Sequence, residues 1–272
     1  GVILITTKKG KVGKTQVALN VGIGFSEIPK YMKLLNTSQY LEMRREAFAN
    51  DGATMNVNSA YDLLKWDTSR YTNWQDQLIG NTAVSTNGGV SISGGSDVTK
   101  FNLNAGYNKE GTVFPGAFSD KKGNLHLNVT HLAPNRKFKT AVSINYVYDN
   151  TTLPQTDLTV YALTLPPDAP RLYDDNGNLN WEDGTWKNPI SFLYKEYQAK
   201  SNNLVSNLNF NYQLGGGFEL RTSLGYNNLQ LSEVTTVPRK SISPTSSEQP
   251  GSYFNDAMLN SWIIEPQIEY TH

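Results

Sequence analysis

The chain has 272 residues, a formal net charge of zero and no cysteine. Balanced charge removes any bulk electrostatic case for nucleic acid or an acidic membrane surface, and the missing thiols exclude disulfides and thiolate zinc sites. No run of about 18 apolar residues is present, so there is no transmembrane helix. The mean hydropathy of -0.47 does not exclude a membrane barrel, whose strands alternate and average to a soluble-looking value.

The first element is an apolar strand, Val2 to Ile5, running into a Lys/Gly segment that ends Gly13-Lys14-Thr15. This has the outline of a phosphate-binding loop. Such a loop needs a glycine five positions before Gly13, where Lys8 stands, and a helix after it. Beyond Thr15 the pattern has period two: Val17, Leu19, Val21, Ile23 and Phe25 against Ala18, Asn20, Gly22 and Gly24. That is a strand, and the Lys/Gly segment reads as a connection between strands. The sequence lacks a basic leader and opens inside a strand, which predicts a fragment of a longer chain.

The alternation returns seven times. Val84, Val90 and Ile92 form one parity of the second strand, and Phe101, Leu103, Ala105 and Tyr107 that of the third. The fourth strand has Leu125, Leu127 and Val129, and the fifth Phe138, Val142, Ile144, Tyr146 and Tyr148. The last three strands carry Leu204, Leu208, Phe210 and Tyr212; Phe218, Leu220, Leu224 and Tyr226; and Trp262, Ile264, Ile268 and Tyr270. The other parity is Asn, Ser, Gly and charge, drawing on 29 asparagines. Short Gly- or Pro-containing turns near 94–97, 134–136 and 215–217 alternate with long connections at 26–83, 109–123, 150–202 and 228–257. All long connections then lie at one end, as in an outer-membrane barrel with short inner turns and long outer loops. The fold class is all-β: an antiparallel transmembrane barrel segment of about eight strands with long, partly helical extracellular loops. Its lipid-facing set is Leu19, Val21, Ile23, Phe101, Leu103, Leu127, Ile144, Tyr146, Leu208, Phe210, Leu224, Trp262 and Ile264.

The first long loop predicts a helix over "TSQYLEMRREAFAND", with Tyr40, Met43 and Ala47 on one face, Leu41 and Phe48 beside it, and Thr37 or Ser38 as cap. "SAYDLLKW" and "TNWQDQLI" are shorter amphipathic pieces. In the third long loop Asp175-Asn176-Gly177-Asn178 is a tight turn; read as a calcium loop, its first ligand would be Leu172, which cannot coordinate. Trp66, Tyr71, Trp74, Trp181 and Trp186 are the candidate substrate or partner contacts. The competing reading is that the tryptophans pin their own loops. The histidines are His126, His131 and His272, and no spacing suggests a nucleophile, a metal site or a catalytic carboxylate pair. The expectation is therefore no enzyme, no metal and no cofactor.

The stretches "GVILITTKKGK", "TSQYLEMRREA", "NWQDQLI", "VSISGGSDVTKFNLNAGYNKEGTVF" and "LPPDAPRLYDDNGNLNW" resemble SusC/RagA-type TonB-dependent outer-membrane transporters. The resemblance covers essentially the whole chain. It implies residues 1–8 as the last strand of a plug domain, 9–16 as the plug-to-barrel linker and 17–272 as the N-terminal part of a barrel of roughly 22 strands. It further implies import of glycans or peptides, a SusD-like surface lipoprotein as partner, energy from the TonB complex through segments outside this sequence, and the outer membrane of a Gram-negative bacterium of the Bacteroidota. The alternative is a soluble or surface-exposed β-rich glycan-binding module using the loop tryptophans.

Overall fold

The computed structural model describes residues 10–271. The strand expected over 1–8 lies outside them. Eight antiparallel strands stand side by side in sequence order in one sheet. They are β1 (Gly13–Ser26), β2 (Ala83–Gly95), β3 (Thr99–Gly111), β4 (Ser119–Leu132), β5 (Phe138–Pro154), β6 (Glu196–Gly215), β7 (Phe218–Val237) and β8 (Gly251–Tyr270). Every strand inferred from alternation is present. β1 begins at Gly13, inside the stretch expected to be linker.

Residues directly opposite in an antiparallel pair share a face, so the register carries one side of the sheet across all its strands. One row runs Val17, Ile92, Leu103, Leu127, Ile144, Ser206, Tyr226, Trp262. Every residue expected to face lipid lies on this side. The adjacent row on the other side runs Ser91, Asn104, His126, Asn145, Val205, Asn227, Ser261. The apolar face is bounded by rings at both ends. Phe138 pairs with Tyr212 and Phe218 with Tyr270 near the short turns; the Phe218 and Tyr270 rings are 4.8 Å apart. Tyr146, Tyr148 and the Tyr226–Trp262 pair mark the other end. From Phe218 to Tyr226, at about 3.3 Å per residue, the band is roughly 26 Å along the strand.

The strands outrun the sequence reading at the long-loop end, leaving connections 27–82, 112–118, 155–195 and 238–250. The expected loops 109–123 and 228–257 were therefore too long. The cause is that the two faces exchange character there. On the apolar side Asn228 and Gln230 follow Tyr226, while Leu229, Leu231 and Leu259 occupy the polar side. The simple alternation stops, but the hydrogen-bonded ladder does not.

The opposite end is closed by tight turns. Ser96 N–H donates to Thr99 O at 2.7 Å and Ala133 N–H to Phe138 O at 2.8 Å. Gly95 has φ +153°, and a Cβ there would stand 2.4 Å from Thr99 O. Gly123, on the apolar face of β4, has open space around its missing Cβ. Gly95→Ala is expected to cost more than about 2 kcal/mol and Gly123→Ala less than about 0.5 kcal/mol. Urea denaturation of the full-length protein measures both, and equal losses would contradict this account of the turn.

Candidate functional site

The long connections at one end of the sheet build a single body. Connection 27–82 carries α1 (Thr37–Asn50), α2 (Tyr61–Leu64) and α3 (Trp74–Ile79); connection 155–195 carries α4 (Thr159–Thr164) and α5 (Ser191–Tyr194). Their apolar sides meet in one core containing Trp66, Trp74, Leu78, Leu158, Trp186 and Phe192, with Val113 and Phe114 of 112–118 packed against it. Trp186 lies 5.9 Å from Trp74 and 6.5 Å from Trp66, centroid to centroid. Each indole N–H is used within the loops: Trp66 donates to Thr185 Oγ1 at 3.0 Å, Trp74 to Pro166 O at 2.7 Å and Trp186 to Asn180 O at 3.1 Å. Asn188, fully buried, donates to Leu172 O and Asn180 O. Connection 238–250 joins through Lys195 and Glu248 at 2.6 Å and Lys240 over the Tyr194 ring.

This placement divides the aromatic residues expected to touch substrate or partner. Trp66, Trp74 and Trp186 are brought together and buried, the placement that the pinning alternative expects, with their rings packed against one another inside the loop core. Each such side chain contributes about 3–5 kcal/mol against truncation. Tyr71 is 61% exposed. Trp181 is half-buried and lines a groove of about 710 Å³ with Glu182, Asp183, Tyr194, Arg239 and Lys240. Here Glu182 and Asp183 have φ +43° and +52°, a left-handed conformation that costs non-glycine residues energy. The turn read over 175–178 is present, with Gly177 at φ +79° and Asp174 Oδ1 accepting from Asn176 and Asn178 N–H.

The α1 expectations need correction. Its cap is Asn36, not Thr37 or Ser38: Asn36 Oδ1 accepts from Gln39 N–H and Gln39 Oε1 accepts from Asn36 N–H. The Thr37 hydroxyl is drawn instead to Arg70 O at 2.6 Å. Met43 is exposed and Leu41 buried, because the inward face is set by polar contacts as well as apolar ones. Arg44 Nε donates to Asp62 Oδ2 at 2.6 Å and Tyr40 Oη to the same oxygen at 2.9 Å. The i, i+4 spacing of Tyr40 and Arg44 was the available signal for this cluster. Burial pushes Asp62 up, but the hydrogen bonds from Arg44 and Tyr40 outweigh it and hold its carboxyl below the usual range. Asp168 is different. It is fully buried, and neither carboxyl oxygen has a hydrogen-bond partner in another residue. Burial first, then the nearby Asp62 charge, pushes it up to about 6, with its own backbone amide and Arg44 opposing.

The polar face of the sheet is zoned along the strands. At the short-turn end it carries Lys14, which lines a cavity with Gln16, Ser91 and Ser93, and Lys100, Lys139 and Arg221 with Glu219, Glu265 and Glu269. Arg221 bridges Glu219 at 3.0 Å and Glu269 at 2.5 Å. The middle is neutral amide, as in the Asn102–Asn128 pair, with His126 Nδ1 2.6 Å from Asn145 Oδ1. The loop end carries Glu110, Asp120, Asp149 and Glu233, with Lys122 3.0 Å from Asp149. Such a wall offers many uncharged donors and acceptors. Among the described residues no three His, Asp or Glu side chains are grouped as metal ligands.

An open antiparallel sheet with one apolar face, and all its long loops gathered at one end, can be compared with known proteins. No family model matches the chain. It is 26% identical over 270 residues to the TonB-dependent receptor SusC of Bacteroides thetaiotaomicron, covering 87% of this chain and 25% of that one. It is 25% identical over 240 residues to the TonB-dependent receptor P39 of Formosa agariphila, covering 84% and 21%. The solved RagAB peptide importer matches 97% of this chain and 33% of its own with a TM-score of 0.72 at 18% identity, a likeness of fold. In sequence the chain is similar to TonB-dependent receptors of the SusC type, and in fold it is like a barrel segment of RagAB. It spans about a quarter of the length of the curated relatives it matches. The curated relatives are named as receptors, and the geometry to understand here is a wall and a loop body.

In the loop body, the Asp168 carboxyl favours the protonated form in the fold. Its contribution is therefore fully present below about pH 4, the unfolded carboxylate value, and is lost as pH rises through about 6. Asp168→Asn keeps the shape without the charge. It is expected to slow hydrogen exchange in 27–82 and 155–195 relative to the unsubstituted receptor at pH 7.5, with the difference vanishing at pH 4. A difference independent of pH would contradict this.

Proposed function

We propose that the chain forms part of the wall and outer loop body of an outer-membrane importer of nutrient oligomers, glycans or peptides. The observation that carries this is the apolar face, continuous over eight strands and edged by aromatic rings at both ends. Its length of roughly 26 Å along the strand suits the apolar band of a membrane barrel once strand tilt is allowed for. Leu19 is 77% exposed and Trp262 74% exposed on that face. Water would leave such a surface unsatisfied, whereas lipid covers it. This speaks against the soluble glycan-binding alternative.

On this reading the residues named for the apolar face contact lipid, and the amide-rich face lines the lumen or meets the plug. The end of the plug falls in residues 1–8, and the linker ends where β1 starts at Gly13. The loop body faces outward toward a SusD-like lipoprotein and the substrate. Tyr71 and the Trp181 groove are the contacts best placed for either, since the other loop tryptophans are buried. Energy would come from the TonB complex through parts of the receptor beyond this chain.

The full-length receptor is expected to sediment with the outer membrane, to need detergent for extraction and to co-purify a surface lipoprotein. Deleting its gene is expected to abolish uptake of one class of oligomer, glycan or peptide. Recovery of the full-length protein in the soluble fraction without detergent, or unchanged uptake of every oligomer offered, would contradict the proposal.

A further inference from the structure

The outward side of the sheet is uncharged through its apolar band, and its first charges beyond the rings lie in one lateral row: lysines on β3, β4 and β6, and Asp256 on β8, two strands from the last lysine. Lys109 is directly opposite Lys121, Lys121 is opposite Asn150, and Asn150 is opposite Lys200. All three lysines are exposed, and none forms an ion pair among the described residues. Like charges directly opposite in an antiparallel pair destabilise it, so the Lys109–Lys121 pair carries a cost that nothing in the sheet relieves. Of the acids at this end, Glu110, Asp120 and Asp149 stand on the other side of the sheet; on the outward side Glu196 lies four residues from Lys200 along β6 toward the loops, and Asp256 of β8 is separated from Lys200 by Ser232 of β7. The row just below the lysines contains Tyr107 and Tyr148, and below these lie Leu125 and Tyr146.

We propose that Lys109, Lys121 and Lys200 form a binding site for the phosphate-bearing headgroup of an outer-leaflet lipid. The row places cations at lateral spacings of roughly 5 and 10 Å, set immediately above aromatic rings and an apolar surface. A ligand that satisfies both must be an amphiphile, with an anionic head at the lysines and hydrocarbon against the apolar strand faces below. A free anion would use only the upper half. The inference rests on the membrane reading given above, because it needs the apolar face in lipid.

The test uses the full-length receptor in vesicles of phosphatidylcholine alone and with about 30% phosphatidylglycerol, with lipid retained on the extracted receptor counted by native mass spectrometry. The triple variant Lys109→Gln, Lys121→Gln, Lys200→Gln is expected to retain phosphatidylglycerol about tenfold more weakly. The corresponding triple Lys→Arg variant should retain it normally, as should a control with Lys30, Lys33 and Arg45 each changed to Gln. Millimolar inorganic phosphate should not displace the lipid. Equal retention by the triple Gln variant, or displacement by inorganic phosphate, would overturn the site while leaving the membrane reading intact. Failure of the receptor to insert into either vesicle would overturn both. If the triple Gln variant folds poorly, Lys121→Gln alone decides the matter, with an expected loss of about fivefold against no change.

Discussion

Everything in this structure depends on antiparallel register. Because side chains alternate with a period of two, a slip of one residue in any strand would turn its apolar set to the polar side. The register holds from Val17 to Trp262 without such a slip. The irregularities in pairing fall near the short turns, between Gly13 and Gln16 and between Gln213 and Gly215. One face is thereby apolar and the other polar. The loops are gathered at one end because every second connection is a tight turn.

The loop body is a separate problem in stabilisation. Loops that merely covered the sheet would leave many backbone groups without partners. Here the tryptophan rings supply the core, and their N–H groups and Asn188 fasten carbonyls from distant parts of the chain. The buried Asp168 is the exception to this order. Its carboxyl has no partner in another residue and lies near the Arg44–Asp62 pair, at the junction of the first and third long connections.

Much of the fold was legible in the sequence because alternation and turn chemistry are local signals. Val17 to Phe25 identified a strand against a misleading Gly-Lys-Thr motif, and the glycines at 215–217 fixed a hairpin. Strand ends were not legible, since past Tyr226 and Trp262 the apolar residues change sides and the local rule fails. Nor was the division among the loop tryptophans. Trp74 and Trp181 look alike in sequence, and only the long-range meeting of connections 27–82 and 155–195 buries one and leaves the other at a groove. In sequence Asn36 has no greater claim to the cap than Thr37 or Ser38 beside it; the Arg70 carbonyl that engages Thr37 is far along the chain.

The central claim, that one parity of each strand meets lipid and the other does not, is open to a direct measurement. The chain has no cysteine, so single cysteines at positions 125 to 129 of β4 can each carry a nitroxide in the membrane-embedded full-length receptor, any cysteines elsewhere in it first replaced. The account predicts that labels at 125, 127 and 129 are accessible to oxygen dissolved in the bilayer and shielded from a water-soluble relaxant, and that labels at 126 and 128 are not oxygen-accessible. Accessibility without a two-residue period, or with the parities reversed, would contradict it.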